Sequence, residues 1–338
     1  MSHEIETTAW TGQKPWHGLG TEMVIGQSME DWMKAAGLDW EVTRLPMFTT
    51  LPNGENRVVL GKGGNEYAVL VRDRGTGKFG EEDIFGPVGP EWVPVQNSEV
   101  FKFIERFCSA GRMTIETCGA LKGGTEVWVL AKFADDFDIV KGDTVKGYLL
   151  FHSAHVWGKG NQVRVTPIRV VCNNTLTMAL SGTGSRFRLP HIRAFDAEVQ
   201  QAAEQALGLA GATLDEFKAD ATFLASKSAR PADLERFIAR IYQPALLAQR
   251  EKDNDKTPLV DDFSPSADGV MQALEAAPGH DLKGSKGTWW GAFNGVTYYE
   301  DHLRVSYKDD TNILASTWFG SGAKRKEHAM ALAKEYAQ

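Results

Sequence analysis

The chain has 338 residues, of which 42% are hydrophobic and 24% charged, a balance that excludes wholesale disorder and allows one large core or two modest ones. Its net charge of −7 argues against a uniformly basic coat for nucleic acid. The first residues lack the pattern of a signal peptide, and no apolar run is long enough to cross a bilayer. The cysteines Cys108, Cys118 and Cys172 are odd in number and far apart, so no disulfide framework is predicted. We therefore expect a cytoplasmic protein with no membrane association.

The N-terminal third is predicted to combine helices with a hairpin. Its elements are, in chain order, a helix over 29–36, hairpin strands over 57–60 and 67–71, and a helix over 99–107. Ser28 is a candidate N-cap for the first helix, and Gly37 closes it. The glycine-rich turn between residues 60 and 67 favours direct pairing of the two strands.

The centre of the chain has the strongest strand pattern. Apolar and polar residues alternate there, and the predicted strands cover 113–118, 126–133, 146–155 and 162–171. The connecting segments LKGG and WGKGN have the composition of tight turns. These features predict an antiparallel β-meander, with a short helix over 173–180 laid on it.

Beyond residue 195 the apolar period becomes helical. Three helices are predicted: one around 199–207, one capped by Thr213, and one that begins at Pro231. A terminal helix follows, which Ser321 is predicted to cap.

We predict an α+β fold, an antiparallel β-meander packed with helices, followed by a helical segment and a smaller C-terminal α/β region. The predicted units are a mixed sheet core over 1–195, the helical segment over 196–250, an acidic linker or mobile loop over 251–268, and a C-terminal region over 269–338 that packs back on the core.

Positive charge is concentrated in one stretch, residues 144–195. It contains no Asp or Glu and has seven cationic residues: Lys146, Lys159, Arg164, Arg169, Arg186, Arg188 and Arg193. The preceding 143 residues hold 14 Lys and Arg against 22 Asp and Glu, and the residues that follow hold 16 against 22. Clustered cations without nearby carboxylates favour binding to a phosphate backbone. The alternative is that these cations pair with acids of the flanking regions.

Two of these arginines raise a question of strand geometry. Arg164 and Arg169 are five residues apart and would face opposite sides of a regular strand. Pro167 between them favours a bulge or an edge position, and a bulge would place both arginines on one face.

Four further residues are candidate stacking or polar contacts: Trp16, His17, Asn173 and Asn174. Trp16 and His17 offer flat rings to a base, although a tight turn packed on the core explains them equally well. Asn173 and Asn174 could contact a base or phosphate, and the alternative is that one of them caps a helix.

Residue patterns of familiar enzymes are missing. His152 and His155 are three apart on a predicted strand, so they point to opposite faces and predict no metal site. Neither a phosphate-binding GxxxxGK[ST] loop nor a GxSxG elbow occurs. We expect no cofactor and no metal and favour a non-enzymatic protein; an unfamiliar active site around His17, Glu116 and His152 is the enzymatic alternative.

Several segments resemble a known family. They are PWHGLG (15–20), AGLDWEV (36–42), PVQN (94–97), ETCGALKGG (116–124), RVVCNNTL (169–176), GTWWGAFNGVTYYEDH (287–302) and FGSGAKRKEHA (319–329). Together they resemble the phage/plasmid-like proteins of the domain-of-unknown-function 932 type, and the resemblance runs nearly end to end. It implies a mobile genetic element as the setting and carries no defined activity.

We expect a single-stranded nucleic-acid binding protein, DNA or RNA, that acts in strand annealing during recombination or replication and forms a homo-oligomer. The alternative is a protein that binds a host replication, recombination or defence factor and no nucleic acid, steered by its acidic flanks.

Overall fold

The fold is α+β, as predicted. A computed structural model describes residues 5–12, 19–61, 63–109, 111–169, 174–175, 186–192, 194–208, 210–304, 316–317 and 320–338. The strands are β1 (Ile5–Trp10), β2 (Thr21–Glu22), β3 (Glu41–Pro46), β4 (Phe48–Thr50), β5 (Asn56–Val58), β6 (Ala68–Asp73), β7 (Ile84–Val88), β8 (Met113–Leu121), β9 (Glu126–Asp138), β10 (Thr144–Ala154), β11 (Asn161–Arg169), β12 (Asn174–Thr175) and β13 (Arg186–Leu189). The helices are α1 (Met29–Ala35), α2 (Asn97–Ser109), α3 (Ala197–Gly208), α4 (Ala210–Ser226), α5 (Pro231–Tyr242), α6 (Pro244–Lys252), α7 (Pro265–Ala276), α8 (Trp289–Tyr298) and α9 (Ser321–Tyr336).

The main sheet has the strand order β12-β11-β10-β9-β8-β1-β2, with β13 paired to β11 beside β12. Strands β8 to β11 pair antiparallel with their neighbours in the chain, which confirms the predicted meander. The glycines of the LKGG turn, Gly123 and Gly124, have positive φ, as does Gly158 in the WGKGN turn. These turns therefore need residues without a Cβ, which explains their composition.

The two faces of the main sheet bury different clusters. One face, with Val129, Leu149 and Phe151, belongs to the large core that also contains apolar residues of α2, α5, α8 and α9. The other face holds a smaller cluster around Trp128, Leu130, Tyr148 and Leu150. Polar residues that extend this second face form the candidate site.

The register of β10 with β11 corrects the expectation for Pro167. Pairing runs without a shift from Val145 and Arg169 to His152 and Gln162, so positions 164 and 169 lie on opposite faces of the sheet. Pro167 lies between the part of β11 that pairs with β13 and the part that pairs with β12. A proline fits at this point because neither outer strand pairs with it.

The N-terminal hairpin prediction is also corrected. Strand β5 pairs with β4, whereas β6 pairs with β3 on one side and β7 on the other. Both hydrogen-bonding edges of β6 are therefore occupied, and the two predicted strands meet at their turn ends, through the Leu60–Glu66 bridge and a hydrogen bond from Tyr67 N–H to the Val59 carbonyl.

Helix boundaries follow the predicted signals where a cap or a proline is present. Ser28 caps α1 and shares a capping box with Asp31, and Pro231 begins α5. Thr213 lies inside α4 and Ser321 is the first residue of α9, so neither is an N-cap. Asn174 and Thr175 form β12, paired with Arg169 and Ile168, instead of belonging to the predicted helix over 173–180, and residues 173 and 176–180 lie outside the described part of the chain.

Residues 251–268, predicted as an acidic linker or mobile loop, contain regular structure. They include the end of α6, a 3₁₀ helix (Leu259–Asp262) and the beginning of α7. Arg250 forms ion pairs with Asp255 and Asp262, and Leu259 is buried. Pro265 occupies the first turn of α7, where its missing N–H costs no hydrogen bond.

Candidate functional site

A cleft of about 830 Å³ separates the second face of the main sheet from the C-terminal region. The polar residues of its sheet wall are Lys122, Glu126, His152, Lys159, Gln162 and Arg188. The opposite wall contains Glu300, Arg304, Ser316, Thr317, Gly320 and Ser321. The site thus combines the turns and strands of the meander with residues that follow α8 and begin α9.

Strand register places the sheet wall on a single face. His152 in β10 is paired with Gln162 in β11, which is paired in turn with Arg188 in β13. Directly paired residues of an antiparallel sheet point to the same face. Glu126 lies two residues before Trp128, the β9 partner of His152, and therefore also shares this face.

Glu126 is a buried carboxylate with three nitrogen partners. Its Oε2 lies 2.9 Å from Nε2 of His152, and its Oε1 lies 3.0 Å from Nζ of Lys122. The Oε1 atom also accepts a hydrogen bond from Nζ of Lys159. Two cations and an imidazole thus converge on one carboxylate at the floor of the cleft.

These contacts and the burial of the site determine the protonation states of Glu126 and His152. Burial raises the pKa of Glu126, but the hydrogen bonds from His152, Lys159 and Lys122 outweigh it and hold the pKa well below its usual value. Burial lowers the pKa of His152 more than its bond to Glu126 raises it. His152 is therefore neutral and Glu126 ionised at pH 7, and the proton of the neutral imidazole lies on Nε2, which donates to the carboxylate.

Glu300 plays the corresponding part on the C-terminal wall. The buried carboxylate accepts hydrogen bonds from Tyr242 Oη at 2.8 Å, Arg325 Nε at 2.7 Å and Arg304 Nη1 at 3.0 Å. Gly322 of α9 lies close to this carboxylate, because a Cβ added at Gly322 would be 3.2 Å from Oε2 of Glu300. The carboxylate thus lies at the N-terminal end of α9, where the helix dipole favours a negative charge.

The cleft as a whole is positive. Its lining includes four cations, Lys122, Lys159, Arg188 and Arg304, against the two carboxylates of Glu126 and Glu300, and His152 is neutral. The formal balance is +2. Arg188 is exposed on β13, so its guanidinium is open to solvent on the sheet wall. This arrangement attracts an anion.

The predicted cationic residues do not form one surface. Lys159 and Arg188 lie together in the cleft, whereas Arg164 pairs with Glu327 of α9 at 3.3 Å. Lys146 is half-buried on β10, opposite Asp136 and Ile168. Pairing with acids of the flanking regions, the alternative explanation of the basic stretch, applies to Arg164 and Lys159, while Lys159 and Arg188 line the cleft.

The remaining predicted residues contribute no side-chain geometry. The backbones of Arg169, Asn174 and Arg186 lie in β11, β12 and β13. The candidates Trp16, His17, Asn173 and Arg193 lie outside the described residues.

The sequence interpretation missed Lys122, Glu126, Glu300 and Arg304. For Glu126 and Lys122 a signal exists, because a tight LKGG turn fixes the register of β8 with β9, and the WGKGN turn fixes that of β10 with β11. The LKGG turn brings Lys122 and Glu126 together, whereas the contact of Glu126 with His152 depends on the pairing of β9 with β10, which neither turn fixes. Glu300 and Arg304 lie so far along the chain from the sheet that no local pattern indicates them.

Residues 84–330 match the family described as Domain of unknown function (DUF932). The chain belongs to the DUF932 family. The matched range begins with β7 and includes both walls of the cleft, so the site lies within the family domain. No curated protein and no solved structure matches the DUF932 chain.

Other kinds of site find little support in the described part of the DUF932 chain. No group of three or more His, Cys, Asp or Glu side chains there is arranged to hold a metal ion. No helix among those residues has the length and apolar character of a membrane span. Cys118 is fully buried, and burial raises the pKa of its thiol, so it is a poor nucleophile. Glu116 accepts a hydrogen bond from Tyr148. Tyr148 lies four residues before His152 on β10, and four residues of a strand span about 13 Å, so Glu116 is bonded to a residue whose backbone is distant from that of His152.

Proposed function

We propose that this DUF932 protein binds single-stranded nucleic acid in the cleft between the main sheet and the C-terminal region. The observation that carries the proposal is the positive lining of a cleft of about 830 Å³. In the setting that the family resemblance implies, a phage or plasmid, strand annealing during recombination or replication is the role we favour.

Size and charge support a phosphodiester strand as the ligand. The volume is in the range of pockets that hold small molecules, so it suits a nucleotide or two of a flexible strand better than a duplex. Lys122 and Lys159 both contact Glu126, and the Lys159 ammonium group has further N–H donors for phosphate oxygens. Arg188 adds a planar guanidinium, which suits bidentate binding of phosphate.

The test is the salt dependence of binding. A fluorescent oligothymidylate is titrated with the full-length chain at several salt concentrations, and affinity is measured by anisotropy. If all four cations of the cleft contact phosphates, log K falls with log[salt] with a slope of about −3. An affinity that does not change with salt contradicts the proposal.

Matched variants locate the binding. The double variant Arg188→Ala/Arg304→Ala should weaken binding at least tenfold and reduce the slope to about half, because two of four phosphate contacts are removed. Arg230→Ala/Arg236→Ala removes the same charge from exposed positions near and on α5, outside the cleft, and should leave both quantities unchanged. Equal losses in the two variants would mean that binding is not in the cleft.

A protein partner is the second candidate, favoured by an exposed apolar patch. Around the β4–β5 hairpin five large apolar side chains are exposed: Leu45, Phe48, Leu51, Leu60 and Tyr67. A second copy of the chain or a host replication or recombination protein would cover them. Phe48→Ser should dissociate a homo-oligomer seen by sedimentation; if the wild type is monomeric, the variant should lose a host protein whose capture survives nuclease.

A further inference from the structure

One tryptophan departs from the others in its exposure. Trp157 is 67% exposed. The other described tryptophans are at most 6% exposed: Trp10, Trp32, Trp40, Trp92, Trp128, Trp289 and Trp290. A large apolar ring in water gains nothing for the fold, since burying it would be favourable. The exposure of Trp157 is therefore a feature that the packing of the core does not explain.

The ring is nevertheless held in place. Trp157 lies in the turn between β10 and β11, and its Cζ3 atom would be 3.4 Å from a Cβ at Gly89. The backbone under it is itself fixed, because Arg44 Nη2 donates to the carbonyl of Pro90 at 2.8 Å. One edge of the indole thus touches Gly89, and the rest of the ring is open to solvent.

The backbone at Trp157 leads directly into the cleft. Gly158, the next residue, lines the cleft and has a φ of +84°, so the chain turns sharply there. Lys159 follows and extends its Nζ to Glu126 at the cleft floor. Consecutive Cα atoms are about 3.8 Å apart, so the Cα atoms of Trp157 and Lys159 are at most about 7.6 Å apart, a distance that one nucleotide can span.

We propose that Trp157 is a stacking platform for an unpaired nucleobase at the mouth of the cleft, while Lys159 and Arg188 hold the adjoining phosphates. The inference rests on the proposed function and specifies its ligand as a single strand with bases. An exposed aromatic ring beside a cationic groove is the combination by which proteins bind single strands without sequence preference. Bases of a duplex are stacked on their neighbours and offer no free face, so the platform selects against a duplex.

The experiment compares the affinities of the wild type and two variants for two ligands. The ligands are an oligothymidylate and an abasic phosphodiester of equal length, both labelled at the same end. Trp157→Ala should weaken binding of the oligothymidylate about 5- to 150-fold, the range equivalent to about 1–3 kcal/mol for one stacked base, and leave the abasic ligand unaffected. Trp157→Phe retains a ring and should keep most of the affinity.

The outcomes separate this inference from the proposed function. If wild type and Trp157→Ala bind both ligands equally and with the same salt slope, the platform is refuted and binding in the cleft stands. If the wild type binds neither ligand in a salt-dependent manner, the proposed function fails and the platform fails with it.

Fluorescence gives an independent readout. Because Trp157 is accessible, a stacked thymine should quench its emission, and the abasic strand should not. The quenched fraction should vanish in Trp157→Phe, with circular dichroism as the check that the variant is folded. Quenching that persists at full amplitude in Trp157→Phe would overturn the assignment to this residue.

Discussion

Nε2 of His152 donates a hydrogen bond to Oε2 of Glu126 across 2.9 Å, from one strand of the main sheet to its neighbour. Both side chains are buried, and the bond joins a neutral imidazole to a carboxylate that two lysines also bind. The floor of the cleft is thus a fixed negative charge that keeps Lys122 and Lys159 in place. Its removal has opposite consequences for stability and for binding.

Glu126→Gln is expected to destabilise the fold and to tighten anion binding. The amide keeps the shape but removes the charge that two lysines and His152 share, at a cost of about 2–4 kcal/mol in the free energy of unfolding. The formal charge of the cleft rises by one, so oligothymidylate should bind several-fold more tightly. Urea denaturation and anisotropy measure the two effects, and weaker binding by a folded variant would contradict the expectation.

Acid is expected to destabilise the protein through three buried histidines. Burial lowers the pKa values of His152, His155 and His191, that of His155 to about 3. The unfolded chain then binds more protons below about pH 6.5, so the free energy of unfolding falls as pH falls, by about 1.4 kcal/mol per pH unit for each neutral histidine. Below about pH 4.5 the lowered pKa of Glu126 adds a loss of the same sign.

His155→Phe isolates one of these contributions. His155 stacks on Phe85 with a ring separation of 5.9 Å, and neither ring nitrogen has a hydrogen-bond partner in the described part of the chain. A phenyl ring preserves the stacking and removes the proton. The free energy of unfolding, measured by urea denaturation from pH 7 to pH 4, should decline less steeply in this variant, by about 1.4 kcal/mol per pH unit. An unchanged decline would show that the pKa of His155 is not lowered in the folded protein.

Lys326 provides a test of a fully buried ion pair. Its Nζ lies 2.7 Å from Oδ1 of Asp301, and both side chains are buried. Lys326→Met leaves Asp301 without this cation and should cost about 3–5 kcal/mol. Lys326→Met/Asp301→Leu removes both charges and should recover most of that loss, as measured by urea denaturation. Additive losses in the double variant would mean that the two residues are not coupled.

Arg164 tests whether a cation of the basic stretch can stabilise the fold without contributing to ligand binding. Because Arg164 pairs with Glu327 at 3.3 Å and is mostly buried, Arg164→Ala should lower the free energy of unfolding by about 1–2 kcal/mol. Its affinity for oligothymidylate should stay within twofold of the wild type, unlike that of Arg188→Ala. A tenfold loss of affinity with unchanged stability would reassign Arg164 to the binding surface.

The central sheet was predictable because its information is local. Alternation along β9 and β10 and glycine turns at both ends specify strands and their register within a few residues. Helix α1 was predictable for the same reason, since Ser28 and Asp31 form a capping box. The hairpin expected between 57–60 and 67–71 does not extend along these strands, because β6 pairs with β3, a strand more than 20 residues earlier.

The site was only partly predictable, because contacts between distant residues decide whether each charged side chain is paired with another or lines the cleft. Composition identified Arg164 as basic, yet its acid lies 163 residues further along the chain. Lys159 and its partner Glu126 are 33 residues apart. An acid-free stretch measures charge along the chain, whereas a binding surface depends on charge in space. Trp157 shows the same limit, because no local pattern distinguishes this exposed tryptophan from the buried ones.

The two walls of the cleft come from distant parts of the chain, residues 122–190 and residues 300–321. During translation every strand of the main sheet is made long before Arg304 and Ser321 leave the ribosome. A nascent chain therefore completes the sheet wall about 110 residues before the first residue of the second wall is made. On the proposed function, a ligand that needs both walls is bound only after residues 300–321 have been synthesised.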